Sequence, residues 1–194
     1  KCDWSSDVCS SDLNENFDKN FKYLISIGRL TYQKNFILLI KGFYEIKKIY
    51  KEYKLIIIGE GEEKIKLERL INQLRLNNDV FLLGFKKNIF NYIKFADCLV
   101  STAYWEDPGF VLVEAGILNK IVISSNCLSG PAELFNQNNG YLFENGSKES
   151  FLKKFIEYKN STRDDNIKKM LITKKKFKNY SLFNHFSKIK KILI

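Results

Sequence analysis

Residues 98–123 read CLVSTAYWEDPGFVLVEAGILNKIVI, and the order of residue types in this stretch decides the fold. Its two ends, 98–100 (CLV) and 121–123 (IVI), are short, continuous, β-branched-rich runs, as strands buried on both faces should be. Between them the segment 109–118 reads as a helix. Strand, helix and strand in this order require parallel pairing through a right-handed crossover. Two carboxylates, Glu106 and Glu114, punctuate a span that is otherwise almost wholly apolar. Pro108 suits the first position of a helix and Asp107 its N-cap, which puts Glu106 in the loop and Glu114 about two turns inside.

The same alternation extends outward. Residues 23–27, 55–58 and 80–83 read as further strands, and 36–52, 62–76 and 88–96 as helices. Ile37, Ile40, Phe43 and Tyr44 recur at helical spacing in one, and Ile65, Leu67, Leu70 and Leu74 in another. The fold class is therefore α/β, a doubly wound parallel sheet of Rossmann-like type. Beyond residue 130 the pattern becomes mainly helical. It holds one short strand at 141–143 and extra C-terminal helices at 147–160, 163–178 and 181–192.

Ligands of doubly wound sheets bind at the carboxyl ends of the strands, and those loops carry the candidate residues. After the first strand come Gly28, Arg29 and Lys34; after the second, Gly59, Glu60 and Gly61; after the third, Gly84, Phe85 and Lys86; after the fifth, Gly130, Pro131, Ala132 and Glu133. After the fourth, the amides of Gly109, Phe110 and Val111 open a helix whose dipole favours an anion. Glu114 is expected on the order of 8–9 Å beyond that anion, about the reach from a diphosphate to its ribose.

The 194 residues, 45% hydrophobic, suffice for one sizeable core. No apolar run is long enough to span a membrane, and the four cysteines show neither metal-ligand spacing nor a disulfide pattern. The expected location is cytoplasmic, with peripheral contact at the inner face of the membrane. The net charge of +10 attracts anions without choosing among them. It leaves a non-catalytic basic module for nucleic acid or a membrane surface as the alternative function. No aromatic residues are interleaved with lysine in a nucleic-acid motif, so the expectation is no nucleic acid. His185, the sole histidine, sits in a basic amphipathic segment and is not assigned a catalytic role.

Residues 1–13, KCDWSSDVCSSDL, show no apolar period. They back-translate, in one frame, to a common sequencing adapter, and are set aside as an artefactual or disordered tail.

Taken together, Gly28-Arg29-Leu30…Lys34, Gly59-Glu60-Gly61, Phe81-Leu82-Leu83-Gly84, Glu106-x₇-Glu114 and Gly130-Pro131-Ala132-Glu133 resemble the donor-binding half of retaining glycosyltransferases with two Rossmann-like domains, most nearly family 4. The resemblance covers residues 22–150. It implies a bacterial enzyme of polysaccharide biosynthesis that transfers a hexose-type sugar from a nucleoside diphosphate sugar to a cell-surface glycan or lipid-linked acceptor. No metal and no other cofactor are implied. Residues 14–194 would form the donor-binding C-terminal domain, and the acceptor-binding N-terminal domain would be missing, leaving the fragment inactive alone. By the resemblance Arg29 and Lys34 grip the diphosphate, the amides at Gly109 to Val111 share it, Glu114 takes the ribose, and Glu106 faces the sugar. Phe85 and Lys86 flank the base. The chain departs from the family in having Asp107-Pro108 where Gly-Phe is common, and Asn35 where a glycine follows the lysine; asparagine tolerates positive φ well.

Overall fold

The computed structural model describes residues 17–107 and 109–178. The expectations for residues 1–13, Pro108, His185 and the helix over 181–192 lie outside the described residues.

Six strands pair in parallel throughout: β1 (Lys22–Ile27), β2 (Tyr53–Ile58), β3 (Val80–Leu82), β4 (Cys98–Ser101), β5 (Ile121–Ser125) and β6 (Tyr141–Phe143), in the order β3-β2-β1-β4-β5-β6. The helices are α1 (Phe36–Ile49), α2 (Lys64–Gln73), α3 (Phe90–Phe95), α4 (Phe110–Ile117), α5 (Pro131–Leu134), α6 (Lys148–Asn160) and α7 (Arg163–Phe177).

Strand alternation sends neighbouring residues to opposite faces, and here both faces are apolar. Leu24, Leu55, Ile57, Val100 and Ile123 join one core with Phe36, Phe43, Phe151 and Phe155 from α1 and α6. Tyr23, Ile25, Ile56, Leu99 and Val122 join the other with Tyr92, Ile93, Leu112, Ala115 and Phe177 from α3, α4 and α7. Burial of each large side chain contributes about 1.5–3 kcal/mol. That two-sided demand is why the strands read as unbroken apolar runs.

The direction of winding across the sheet reverses between β1 and β4. The first two crossovers run outward to β3, and the next returns to the opposite flank of β1, opening a crevice at the carboxyl ends of these two strands. The functional loops diverge there.

Local chemistry sets the helix ends. Asn35 takes the left-handed conformation (φ 49°), as its tolerance for positive φ suggested, and its side chain accepts from the Leu38 amide to cap α1. Thr162 caps α7, which carries Asp164 and Asp165 in its first turn and Lys174, Lys175 and Lys176 in its last, each sign matched to the helix dipole. In α2, Ile65 is exposed and Ile71 is buried in its place. The buried face follows Leu67 and Ile71 one turn apart, and a residue two places before Leu67 points away from it.

The helix after β4 begins later than its cap chemistry suggests. Gly109, at φ 72°, is the N-cap of α4, and its helical geometry runs from Phe110. A left-handed residue is cheapest at glycine, so the turn falls there. Glu114 consequently stands four residues past Phe110, roughly 6 Å along the axis, and not two turns in.

Candidate functional site

The loop after β1 folds back as a 3₁₀ turn, Tyr32–Lys34, which swings Lys34 over Gly28. A Cβ on Gly28 would meet the Lys34 stem at 3.1 Å, so the bare backbone there leaves room for the lysine to lie flat. Its ammonium donates to both oxygens of Glu106, each at 2.7 Å. The Glu106 side chain is 7% exposed and that of Lys34 19%, so the pair is largely withdrawn from water.

Several hydrogen bonds fix this pair by fixing its loops. The buried Thr102 hydroxyl lies 3.1 Å from the Lys34 carbonyl and 3.0 Å from that of Asn35, donating to them from the end of β4. The Tyr104 amide donates to the Gln33 carbonyl at 2.8 Å, and the Gln33 side-chain amide to the Trp105 carbonyl at 2.9 Å. Replacing Thr102 by valine keeps the shape and strips these contacts. The expected result is a loss of about 1–2 kcal/mol in urea unfolding, and an unchanged midpoint would show the contact to be idle.

Two clefts open at the strand ends. A cleft of about 290 Å³ brings together Gly28, Arg29, Gln33, Lys34, Glu106, Asp107, Gly109, Phe110 and Val111. A second, of about 460 Å³, is lined by Gly59, Glu60, Phe85, Lys86, Lys87 and Ile89. Both also take Ile27, Gly28 and Arg29 as lining, so the two share a wall. Arg29, an exposed side chain, stands at their junction.

At the head of α4 the Leu112 amide is already bonded to the Gly109 carbonyl at 2.9 Å, while the amides of Phe110 and Val111 occupy the positions a helix start leaves without intrahelical partners. They border the smaller cleft, with the positive end of the helix dipole behind them.

Eleven of the residues singled out from the sequence line one cleft or the other: Gly28, Arg29, Lys34, Gly59, Glu60, Phe85, Lys86, Glu106, Gly109, Phe110 and Val111; Gly61, Gly84 and residues 130–133 line neither. Glu114 lines neither. It follows Phe110 by four positions and Val111 by three, hence on the same side of α4 one turn deeper. Half-buried there, its carboxyl is pushed above the usual carboxylate range by desolvation. Glu60 is exposed and pairs with Lys64 at 3.4 Å. The sequence reading treated Lys34 and Glu106 as separate stations, one for phosphate and one for sugar; in the structure they are bonded to each other. It did not find Thr102 or Gln33. Gln33 stands in the strand-end loop already singled out, whereas nothing in the sequence marks Thr102.

Cys98 and Cys127 are free and buried, as core thiols should be. Among the described residues no group of three or more His, Cys, Asp or Glu stands together as metal ligands, and no helix is long and apolar enough to cross a membrane.

A six-stranded parallel sheet wound on both faces, with adjoining clefts at its switch point, defines a Rossmann-like domain. A variant of S. aureus TarM, solved with fondaparinux, α-GlcNAc-glycerol and UDP, matches 91% of this chain and 37% of its own at TM-score 0.80 and 25% identity. The C-terminal domain of a group 1 glycosyl transferase (LpcC) from Francisella tularensis shares the fold at TM-score 0.70 and 22% identity, over 80% of this chain and 84% of that domain. Residues 11–178 match the family of glycosyl transferases group 1, and the chain belongs to that family. An uncharacterized glycosyltransferase of Methanocaldococcus jannaschii is 42% identical over 128 residues, 62% of this chain and 32% of the relative. The N-acetylgalactosamine-N,N'-diacetylbacillosaminyl-diphospho-undecaprenol 4-alpha-N-acetylgalactosaminyltransferase of Campylobacter jejuni is 33% identical over 156 residues, 80% of this chain and 41% of that enzyme. The chain thus spans 32% of the first of these two relatives and 41% of the second.

Proposed function

We propose that this chain is the donor-binding part of a retaining, family 4 type glycosyltransferase that moves a hexose-type sugar from a nucleoside diphosphate sugar to a glycan or lipid-linked acceptor. The observation that carries the reading is the shared wall of the two clefts. The smaller is lined by Arg29, Lys34 and helix-start amides suited to a diphosphate, with the Glu106 and Asp107 carboxylates beside them, and the larger by an exposed aromatic, Phe85, suited to a base. UDP in the related TarM structure and an undecaprenol-linked acceptor for the related Campylobacter enzyme support the same substrate classes.

The chemistry follows from charge. Breaking the sugar–phosphate bond leaves negative charge on the departing nucleoside diphosphate. Arg29, the Phe110 and Val111 amides and the Lys34 ammonium meet that charge, each fixed donor being worth on the order of 3–4 kcal/mol in the transition state. Glu106 holds Lys34 in place and presents a carboxylate to the sugar side, where it stabilises positive charge on the ring or orients a hydroxyl. With the acceptor hydroxyl entering on the face the diphosphate leaves, no protein nucleophile is required.

UDP, GDP and ADP, each tested in a thermal melt of the chain, separate this reading from a general anion sink. At ten times its dissociation constant the matching nucleotide stabilises by about 1.4 kcal/mol, a rise of roughly 3–6 °C. Arg29→Ala should abolish the rise. No shift with any of the three overturns the proposal.

A further inference from the structure

We infer that Tyr32, Tyr104 and Trp105 form a stacking platform for a pyranose ring at the edge of the Lys34–Glu106 pocket. That the ring belongs to the acceptor rests on the donor-binding reading above; that the platform binds saccharide does not.

The three rings cluster closely. Tyr32 and Tyr104 have centroids 4.9 Å apart, Tyr32 and Trp105 6.3 Å, and Tyr104 and Trp105 6.5 Å with planes nearly parallel at 23°. Yet the cluster is not core, since Tyr32 is 63% and Trp105 49% exposed. Exposed aromatic side chains on a loop are ordinarily left loose. Here the main chain under two of them is held by the two Gln33 bonds, from the Tyr104 amide and to the Trp105 carbonyl, and by the Asn145 side-chain amide, which donates to the Tyr104 carbonyl at 2.7 Å. Loops from β1, β4 and β6 therefore all fix the backbone that carries Tyr104 and Trp105, and the Tyr32 ring packs on both, an arrangement that keeps a flat apolar surface in water.

Position selects the occupant. Gln33, Lys34, Glu106 and Asp107, the chain neighbours of the rings, all line the smaller cleft, so a group resting on Trp105 is one residue from the carboxylate that faces the transferred sugar. A pyranose presents an apolar C–H face and a rim of hydroxyls. Rigid rings cover the first at low entropic cost, and the exposed Asp107 carboxylate accepts from the second. A protein partner fits less well. The two exposed rings offer on the order of 200 Å², against the roughly 800 Å² a stable interface takes from each side.

Replacing Trp4 by phenylalanine leaves Trp105 as the sole tryptophan of the 194-residue chain, and its emission then reports on the platform. Methyl α-D-glucopyranoside and methyl N-acetyl-α-D-glucosaminide are titrated with and without UDP. The expected result is a saturable change in emission that Tyr32→Ala weakens about three- to tenfold and Tyr32→Phe preserves, while the UDP melting shift is the same in all three chains. Emission that ignores both glycosides, or a Tyr32→Ala chain that binds them as well as its parent, overturns the platform. So does self-association in sedimentation that Tyr32→Ala abolishes, because a second copy would then be the occupant. Loss of the UDP shift with the glycoside response intact would sink the donor reading and leave the platform standing.

Discussion

Lys34→Met is expected to lower the stability of the chain by about 3 kcal/mol, a fall of roughly 6–12 °C in Tm, and to remove nucleotide binding. Methionine keeps the stem that lies over Gly28, so the change isolates the ammonium. What remains is Glu106, with its side chain 7% exposed and both oxygens stripped of their 2.7 Å partner. A carboxylate withdrawn from water without a counter-charge is costly, and breaking one side of such a pair commonly costs about 3–5 kcal/mol. The lower end applies because the Lys34 side chain itself retains 19% exposure, so some water reaches the site. Lys34→Met with Glu106→Gln removes the stranded charge as well and should regain at least half of the loss, giving a coupling energy in a double-mutant cycle. Nucleotide binding should stay absent in both chains, since neither supplies the cation. Equal losses in the single and double variants, read from urea midpoints, would show that the stranded Glu106 charge is not the source of the loss.

That pairing marks where legibility in the sequence stopped. Short β-branched runs bounded by loops gave the strands because both faces of the sheet are covered, and β6 was found at its observed bounds. Helix ends drifted: α1 stops at Ile49, three residues short of expectation, where the chain turns at Tyr50 toward β2. The short α5 was seen as a Gly-Pro motif and not as a helix, because four residues carry no period. The loops at the strand ends were legible as a set, since the switch-point rule fixes which end of the sheet they share. What they do to one another was not. Lys34 and Glu106 are 72 residues apart, and no local pattern states that a lysine after the first strand reaches a glutamate after the fourth. Thr102 is still less visible, because its role is a bond to backbone carbonyls, which any sequence possesses.

Glu114→Gln is expected to raise the melting temperature of the unliganded chain at neutral pH and to weaken UDP binding by about 3 kcal/mol, on the order of 100-fold. The opposite signs come from one cause. Burial on α4 pushes the Glu114 carboxyl above its ordinary range, so the folded chain binds its proton more tightly than the unfolded chain does. Stability from this group therefore falls as pH rises from the ordinary carboxylate value through the raised one, and above both the penalty is complete. Glutamine carries no such penalty, and its advantage should vanish in acid, where Glu114 is protonated in both states. A ribose reverses the balance. Two hydroxyls donating to the carboxylate favour its charged form, so UDP should bind more tightly as pH rises through the same window in the parent and show no such trend in the variant. Comparison with 2′-deoxy-UDP isolates the contact: the parent should prefer UDP clearly, and Glu114→Gln should lose most of that preference. A variant that still discriminates between the two nucleotides as its parent does would remove Glu114 from the ribose site and leave its burial without a functional account.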